Sequence, residues 1–387
     1  MKIALVHDYF TQLGGAEKVA GELFRMLPNP SVFATVAFRN CMPVELRDIA
    51  IKTSWMQSLP GIEKYYRLYF LLYPFAVSSL QLSEYDLVLS SSSGYAKGIK
   101  TDGDAVHVCY CHTPMRWVWR FDSYSERESF GSGQQAVLMM LMQGLKFWDL
   151  DASRQPDHFV ANSKVVAERI RRAYGRSAEV IYPPIDIDRF RTSSRRSDYY
   201  IVLARLVSYK RIDVAVQACS SLGKKLLVIG DGPDRKRLEG LAGPSVSFLG
   251  HIPNSEVELL VSECKALLFP GEEDFGMAPL EVAAAGRPTI AYRAGGAVET
   301  ILENITGLFF DRQTTENLEE AIQRFERQRW SPELLRKHAE NFRTEVFRDN
   351  FCSFLRRIGT PIEKAKSTEI FLGDRSFAAS VGATTAR

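Results

Sequence analysis

Residues 271–296 read GEEDFGMAPLEVAAAGRPTIAYRAGG, and the order of residue types in that stretch decides how the chain folds around a ligand. The apolar run ALLFP (266–270) leads into it and has the length and character of a buried strand. Asp274-Phe275-Gly276 then makes a turn, and MAPLEVAAAG has helical character, stopped by Gly286 and Pro288. Strand, glycine-bearing turn and helix N-terminus in succession aim backbone N–H groups and a helix dipole at an anion above the sheet. Glu273 and Glu281, eight residues apart, flank the turn with carboxylates, which accept strongly from sugar hydroxyls. The segment suits a sugar diphosphate.

Outward from it, short apolar runs alternate with amphipathic stretches, the signature of parallel α/β layers. The first half has expected strands at KIALVH (2–7), DLVLSS (86–91), AVHVCYC (105–111) and HFVAN (158–162). A second series follows at YYIVLA (199–204), KKLLVIG (224–230), VSFLG (246–250), KALLFP (265–270) and PTIAY (288–292). Between them, the prolines of VIYPPIDIDRF (180–190) forbid helix, and RTSSRRSD (191–198) is polar. At 387 residues the chain exceeds one ordinary core. The expected division is a first domain over 1–185, a connection over 186–198 and a second domain over 199–345. A helix over 346–360 packs back toward the first domain, and a partly disordered tail occupies 361–387.

Four further motifs accompany the central one: GGAEKV (14–19), YCHTPMRWVW (110–119), ARLVSYKRID (204–213) and IGDGPDRKRL (229–238). Together with the E-x7-E pattern running into AAAGRP and GG, and in this order, they resemble the retaining family 4 glycosyltransferases. The similarity covers residues 1 to about 350. HDYF, GGAE and CHTPMRWVW look most like bacterial mannosyltransferases of O-antigen or exopolysaccharide synthesis. The resemblance implies a GT-B fold, two Rossmann-like parallel-sheet domains facing across a cleft, and sugar transfer with retention at the anomeric carbon.

Position assigns the candidate site residues. Gly14 and Gly15 follow the first strand, where glycines let a phosphate or sugar approach the backbone. The resemblance turns that loop toward the donor. His112 stands at the end of a strand, where ligand crevices of α/β sheets lie; the family's matching histidine contacts the transferred sugar. Arg116, Trp117 and Trp119 read as acceptor-side or loop-packing residues. Arg205 and Lys210 follow the first strand of the second half and could clamp a diphosphate, one as a fork and one as a point charge. On the same resemblance, Gly276 and Met277 would supply the helix N-terminus beneath the leaving group, Glu273 would orient sugar hydroxyls and Glu281 would hold the ribose. Asp231-Gly232-Pro233 reads equally as a plain turn, and Glu299 as a helix cap.

No Asp-x-Asp stands in a suitable strand-end loop, since Asp186 and Asp188 fall in the connection. The expectation is therefore no metal and no cofactor, the donor being a substrate. A net charge of +3 argues for no nucleic-acid partner. Six scattered cysteines without a CxxC fit reduced thiols in the cytoplasm. The longest apolar stretch, YFLLYPFAV (69–77), is too short to span a bilayer. Residues 55–80 are aromatic and basic, which suits either a core helix with exposed cations or peripheral contact with the inner face of the cytoplasmic membrane.

The expected donor is GDP-mannose, and the expected acceptor, implied by the resemblance, is a polyprenyl-diphosphate-linked saccharide. Three alternatives stay open: a UDP-sugar-dependent transferase, an epimerase or phosphorylase of the same architecture, and a non-catalytic nucleotide-sugar binder.

Overall fold

A computed structural model describes residues 1–101, 104–119 and 132–360, with the side chains of 132–137 excepted. The expected tail, 361–387, lies outside the described residues. Among the described residues, thirteen strands form two sheets, every ladder parallel. The first contains β1 (Ile3–His7), β2 (Ser31–Ala34), β3 (Ile51–Thr53), β4 (Leu87–Ser92), β5 (Val106–Cys111), β6 (His158–Ala161) and β7 (Glu179–Val180). Its order is β3-β2-β1-β4-β5-β6-β7. The second contains β8 (Tyr200–Leu203), β9 (Leu226–Ile229), β10 (Val246–Gly250), β11 (Leu267–Phe269), β12 (Thr289–Tyr292) and β13 (Gly307–Phe310), ordered β10-β9-β8-β11-β12-β13. Both sheets are Rossmann-like, as the motifs imply. The strand order reverses at β1/β4 and at β8/β11, and in such sheets a ligand crevice opens beyond the strand C-termini at that reversal.

Burial explains the sequence character of the strands. All five residues of β1 and all six of β4 are buried, because helices cover both faces of a parallel sheet. Cys109 and Cys111 are core residues of β5 and are both free thiols.

The chain crosses between the sheets twice, and the two crossings are joined where Ile185 N–H donates to the Phe342 carbonyl at 2.8 Å. Ile187 and Phe190, both within the expected connection 186–198, are buried in the core of the second domain. The last described helix, Thr344–Arg357, lies on the first sheet: Phe347, Phe351, Phe354 and Leu355 pack with Ile3, Leu5, Leu23 and Leu89. Their spacing puts one apolar face on the sheet. Each side chain buried this way stabilises by about 1.5–3 kcal/mol. The last described helix thereby joins the first domain's core.

Residues 55–80 form no continuous helix. A 3-10 turn at Trp55–Ser58, a helical turn at Ile62–Tyr65 and a helix at Tyr73–Ser78 are separated by turns. Pro74 sits in the first turn of the last, where its missing N–H is not needed. The core-helix expectation for this stretch is corrected accordingly. No helix of the described residues is long and apolar enough to cross a membrane.

Candidate functional site

The stretch 271–296 folds as a strand-end turn followed by the helix Met277–Ala284. Gly276 caps it with φ +89°, a left-handed conformation that side chains rarely adopt. Pro279 in the first turn costs no hydrogen bond. Gly271 is needed for close approach, since a Cβ there would stand 2.7 Å from the Lys210 Cα. That nearness of two strand-end loops brings Lys210 Nζ to 2.7 Å from Glu273 Oε1. Burial alone would lower the lysine's pKa, but Glu273 outweighs it, and the ammonium is held above its ordinary value.

The opposing wall comes from the first domain. The helix Gly15–Met26 begins directly after Gly14, and the Gly14 N–H donates to Glu17 Oε2 at 2.8 Å, which ties the loop to its own helix. A Cβ on Gly15 would stand 3.0 Å from Met277 Sδ, so the glycine loop and the helix N-terminus of the second domain face each other in close approach. Lys18 Nζ lies 3.2 Å from Glu281 Oε1, and Arg205 donates to Gln12 Oε1. Gly14, Gly15, Arg205, Lys210, Glu273, Gly276, Met277 and Glu281 thus border one cleft.

His112 lies immediately beyond β5 and is 8% exposed. Its Nε2 is 2.8 Å from Ser91 Oγ, and Ser91 Oγ is 3.1 Å from His7 Nδ1. Burial, with His7 adding to it, pushes the His112 pKa down to about 4, so the ring is neutral near pH 7. His7 Nε2 stands 3.9 Å from Glu17 Oε1, with both side chains 3% exposed. Asp8, also buried, accepts from Ser92 Oγ, Ser93 N–H and Ala96 N–H at 3.0, 2.6 and 2.6 Å and holds the loop after β4.

A second set of contacts crosses the cleft. Arg116 Nη2 meets Asp274 Oδ1 at 2.6 Å, and Arg169 binds both Asp274 and Glu272, the latter at 2.8 Å. The Arg116 guanidinium also lies 4.5 Å from the centre of the Tyr209 ring. Glu299 does cap a helix, but on the other domain: it accepts from Lys164 and Val165 N–H at 2.8 and 3.0 Å, at the start of the helix Lys164–Tyr174. Arg116 is therefore an interdomain tie. Trp119 is a packing residue whose Nε1 donates to Asp149 at 2.7 Å.

Beside these contacts lies a cavity of about 610 Å³. The first domain lines it with Tyr9, Tyr66, Phe70, Tyr73 and Trp117, and the second reaches it with Arg205 and Tyr209. The Tyr73 hydroxyl is buried with no hydrogen-bond partner. A smaller cavity of about 430 Å³, lined by Asp311, Glu320 and Arg324, includes none of the candidate residues. Among the described residues, no three His, Cys, Asp or Glu side chains converge as a metal site requires.

Sequence reasoning brought the glycine loop, the two cations and the two glutamates together. It passed over His7, Glu17, Ser91, Arg169 and Asp274. A usable signal existed for His7 and Ser91, since both stand at strand C-termini beside the order reversal. None existed for Arg169.

Comparison with known proteins agrees with this geometry. The model for "Glycosyltransferase Family 4" matches residues 13–189, and that for "Glycosyl transferases group 1" matches 185–345. A GDP-mannose-dependent alpha-(1-6)-phosphatidylinositol monomannoside mannosyltransferase of Mycobacterium tuberculosis is 30% identical over 192 residues, 41% of this chain and 50% of that protein. A GDP-mannose-dependent alpha-mannosyltransferase of Corynebacterium glutamicum is 33% identical over 110 residues, 28% of this chain and 26% of that protein. The chain spans about half the length of the first of these relatives and less of the second. Among solved structures, Anabaena HepE in complex with UDP covers 92% of this chain and 100% of its own at TM-score 0.67 and 18% identity. Sucrose-phosphate synthase from Thermosynechococcus elongatus covers 93% and 99% at TM-score 0.70 and 15% identity. With both halves matched and two Rossmann-like sheets facing across the cleft, the chain belongs to the family 4 glycosyltransferases and has the GT-B fold.

Proposed function

We propose that the protein is a retaining, metal-independent mannosyltransferase that takes mannose from GDP-mannose to a polyprenyl-diphosphate-linked saccharide, at the inner face of the cytoplasmic membrane. The observation that carries the transfer reading is the facing of the Gly14-Gly15 loop and the Gly276–Met277 helix start, with Lys210 and Glu273 paired beside them. The GDP-mannose reading draws on the activities for which the two bacterial relatives are named.

In this reading Arg205, Lys210 and the backbone N–H groups at Met277 stabilise the charge developing on the leaving diphosphate, each interaction worth a few kcal/mol. Glu273 orients sugar hydroxyls, Glu281 holds the ribose, and neutral His112 positions the transferred sugar. Attack comes from the face the diphosphate leaves, and the departing oxygen takes the acceptor proton. Closure of the two domains on the donor would exclude water and strengthen these interactions.

The 610 Å³ cavity suits the acceptor. Its rings offer flat apolar faces to the C–H faces of a saccharide, and a buried, unpartnered Tyr73 hydroxyl gains a hydrogen bond when a sugar enters. The lipid end of that acceptor is matched by Leu68 and Phe75, 73% and 68% exposed on the segment whose Tyr66, Arg67 and Phe70 line the cavity. Lys64 and Arg67 add positive charge there, Lys64 lying 5.1 Å from the centre of the Tyr65 ring and Arg67 donating to the Tyr66 hydroxyl at 3.1 Å.

The test is calorimetry of the purified protein with a panel of nucleotide sugars, without added metal. GDP and GDP-mannose are expected to bind tightly, and Arg205→Ala to weaken both. Preference for a uridine nucleotide would overturn the mannose reading, and no binding at all would overturn the enzyme reading.

A further inference from the structure

We propose that Glu17, His7 and Ser91 form a buried positioning relay that holds His112 as its Nε2–H tautomer, leaving Nδ1 as the hydrogen-bond acceptor of the ring. The consequence for a sugar rests on the reading of His112 given above; the relay itself rests only on the geometry.

The relay runs across the C-terminal ends of three neighbouring strands, β1, β4 and β5, in the order Glu17, His7, Ser91, His112. Ser91 Oγ has one proton and two imidazole neighbours, His7 Nδ1 at 3.1 Å and His112 Nε2 at 2.8 Å. The hydroxyl can donate to only one of them, and to the other it offers a lone pair. His7 decides which. Its Nε2 faces the Glu17 carboxylate at 3.9 Å in a site both side chains leave only 3% exposed, where water does little to screen the attraction. Glu17 cannot swing away, because its other oxygen is held by the Gly14 N–H. Facing that carboxylate, the His7 proton sits on Nε2, and a bare Nδ1 is presented to the Ser91 hydroxyl. Ser91 donates to His7 and accepts from His112, which places the His112 proton on Nε2.

His112, neutral by virtue of its burial, has no other proton to give. It then accepts from a sugar hydroxyl and cannot donate to one. Glu17 serves two ends at once: it pins the glycine loop and polarises the relay, so loop geometry and His112 tautomer are coupled through one carboxylate.

Nitrogen-15 NMR of histidine-labelled protein, with His112 assigned from a His112→Gln sample, reads the tautomer directly. The expected wild-type result is a protonated Nε2 and a bare Nδ1. In Glu17→Gln the side-chain oxygen still accepts from Gly14 N–H, but an amide N–H now faces His7. His7 is expected to invert, Ser91 to turn round, and His112 to carry its proton on Nδ1. Ser91→Ala breaks the chain, and a mixture of tautomers is expected. A wild-type His112 protonated on Nδ1 would overturn the proposal with no variant needed. An unchanged tautomer in a folded Glu17→Gln would do the same. Nucleotide-sugar binding, measured separately, decides the functional reading and leaves the tautomer result standing.

Discussion

Asp274→Asn gives the sharpest account of how the two domains are held. Asp274 Oδ1 receives Arg116 at 2.6 Å and Arg169, both from the first domain, while its own backbone carbonyl accepts from Ser163 Oγ at 2.6 Å. A hydrogen bond to a charged group contributes about 1.5–3 kcal/mol. Asparagine keeps the shape and removes the charge. Arg169 retains Glu272 and the cluster is partly solvated, with Asp274 22% exposed, so the expected loss is about 2–4 kcal/mol rather than the full sum. At about 1.4 kcal/mol per factor of ten, the population of separated domains rises about 30- to 700-fold. Two amides report that population. Lys164 and Val165 N–H donate to Glu299 across the interface, so they exchange when the domains part. Hydrogen exchange at these amides is expected to accelerate by that factor in Asp274→Asn, with the amides of β1 unchanged. Acceleration below about threefold would refute the reasoning.

The same carboxylate sets a pH dependence. Burial would raise the Asp274 pKa, but Arg116 and Arg169 outweigh it and hold the group below its ordinary value. Its contribution is complete above the ordinary aspartate pKa of about 4 and is lost as pH falls through the depressed value.

Other outcomes follow from particular contacts. Lys97 and Asp149 pair at 2.5 Å with 1% and 0% exposure, and Lys97→Met should cost about 3–5 kcal/mol in chemical denaturation by stranding a buried carboxylate. Adding Asp149→Asn should restore much of that loss; no recovery would mean the lysine acts through packing alone. Wild-type protein is expected to co-sediment with anionic vesicles, and Leu68→Ser with Phe75→Ser to release it. Absence of wild-type binding would remove the membrane contact.

Much of the fold was legible because it is written in local periodicity. Buried parallel strands such as Ile3–His7 and Leu87–Ser92 appear as apolar runs, and Gly276 and Gly286 announce a turn and a helix end. The strands at 31–34, 51–53 and 307–310 did not stand out, since three or four residues carry no measurable period. The stretch 55–80 misled for the opposite reason: its aromatic density resembles a helix face, yet its turns are set by packing against the first domain.

Residue order alone settles which groups stand at strand ends and loop starts, and therefore the cation pair, the glutamate pair and the glycine loop. Which of them touch is a matter of the folded chain. Arg116 and Asp274 are 158 residues apart, and His7 and Ser91 are 84 apart. Local patterns constrain neighbours along the chain, whereas strand order and domain closure bring such pairs within hydrogen-bond range. The Glu17–His7–Ser91–His112 chain exists because β1, β4 and β5 are neighbours in space, a property of the assembled sheet.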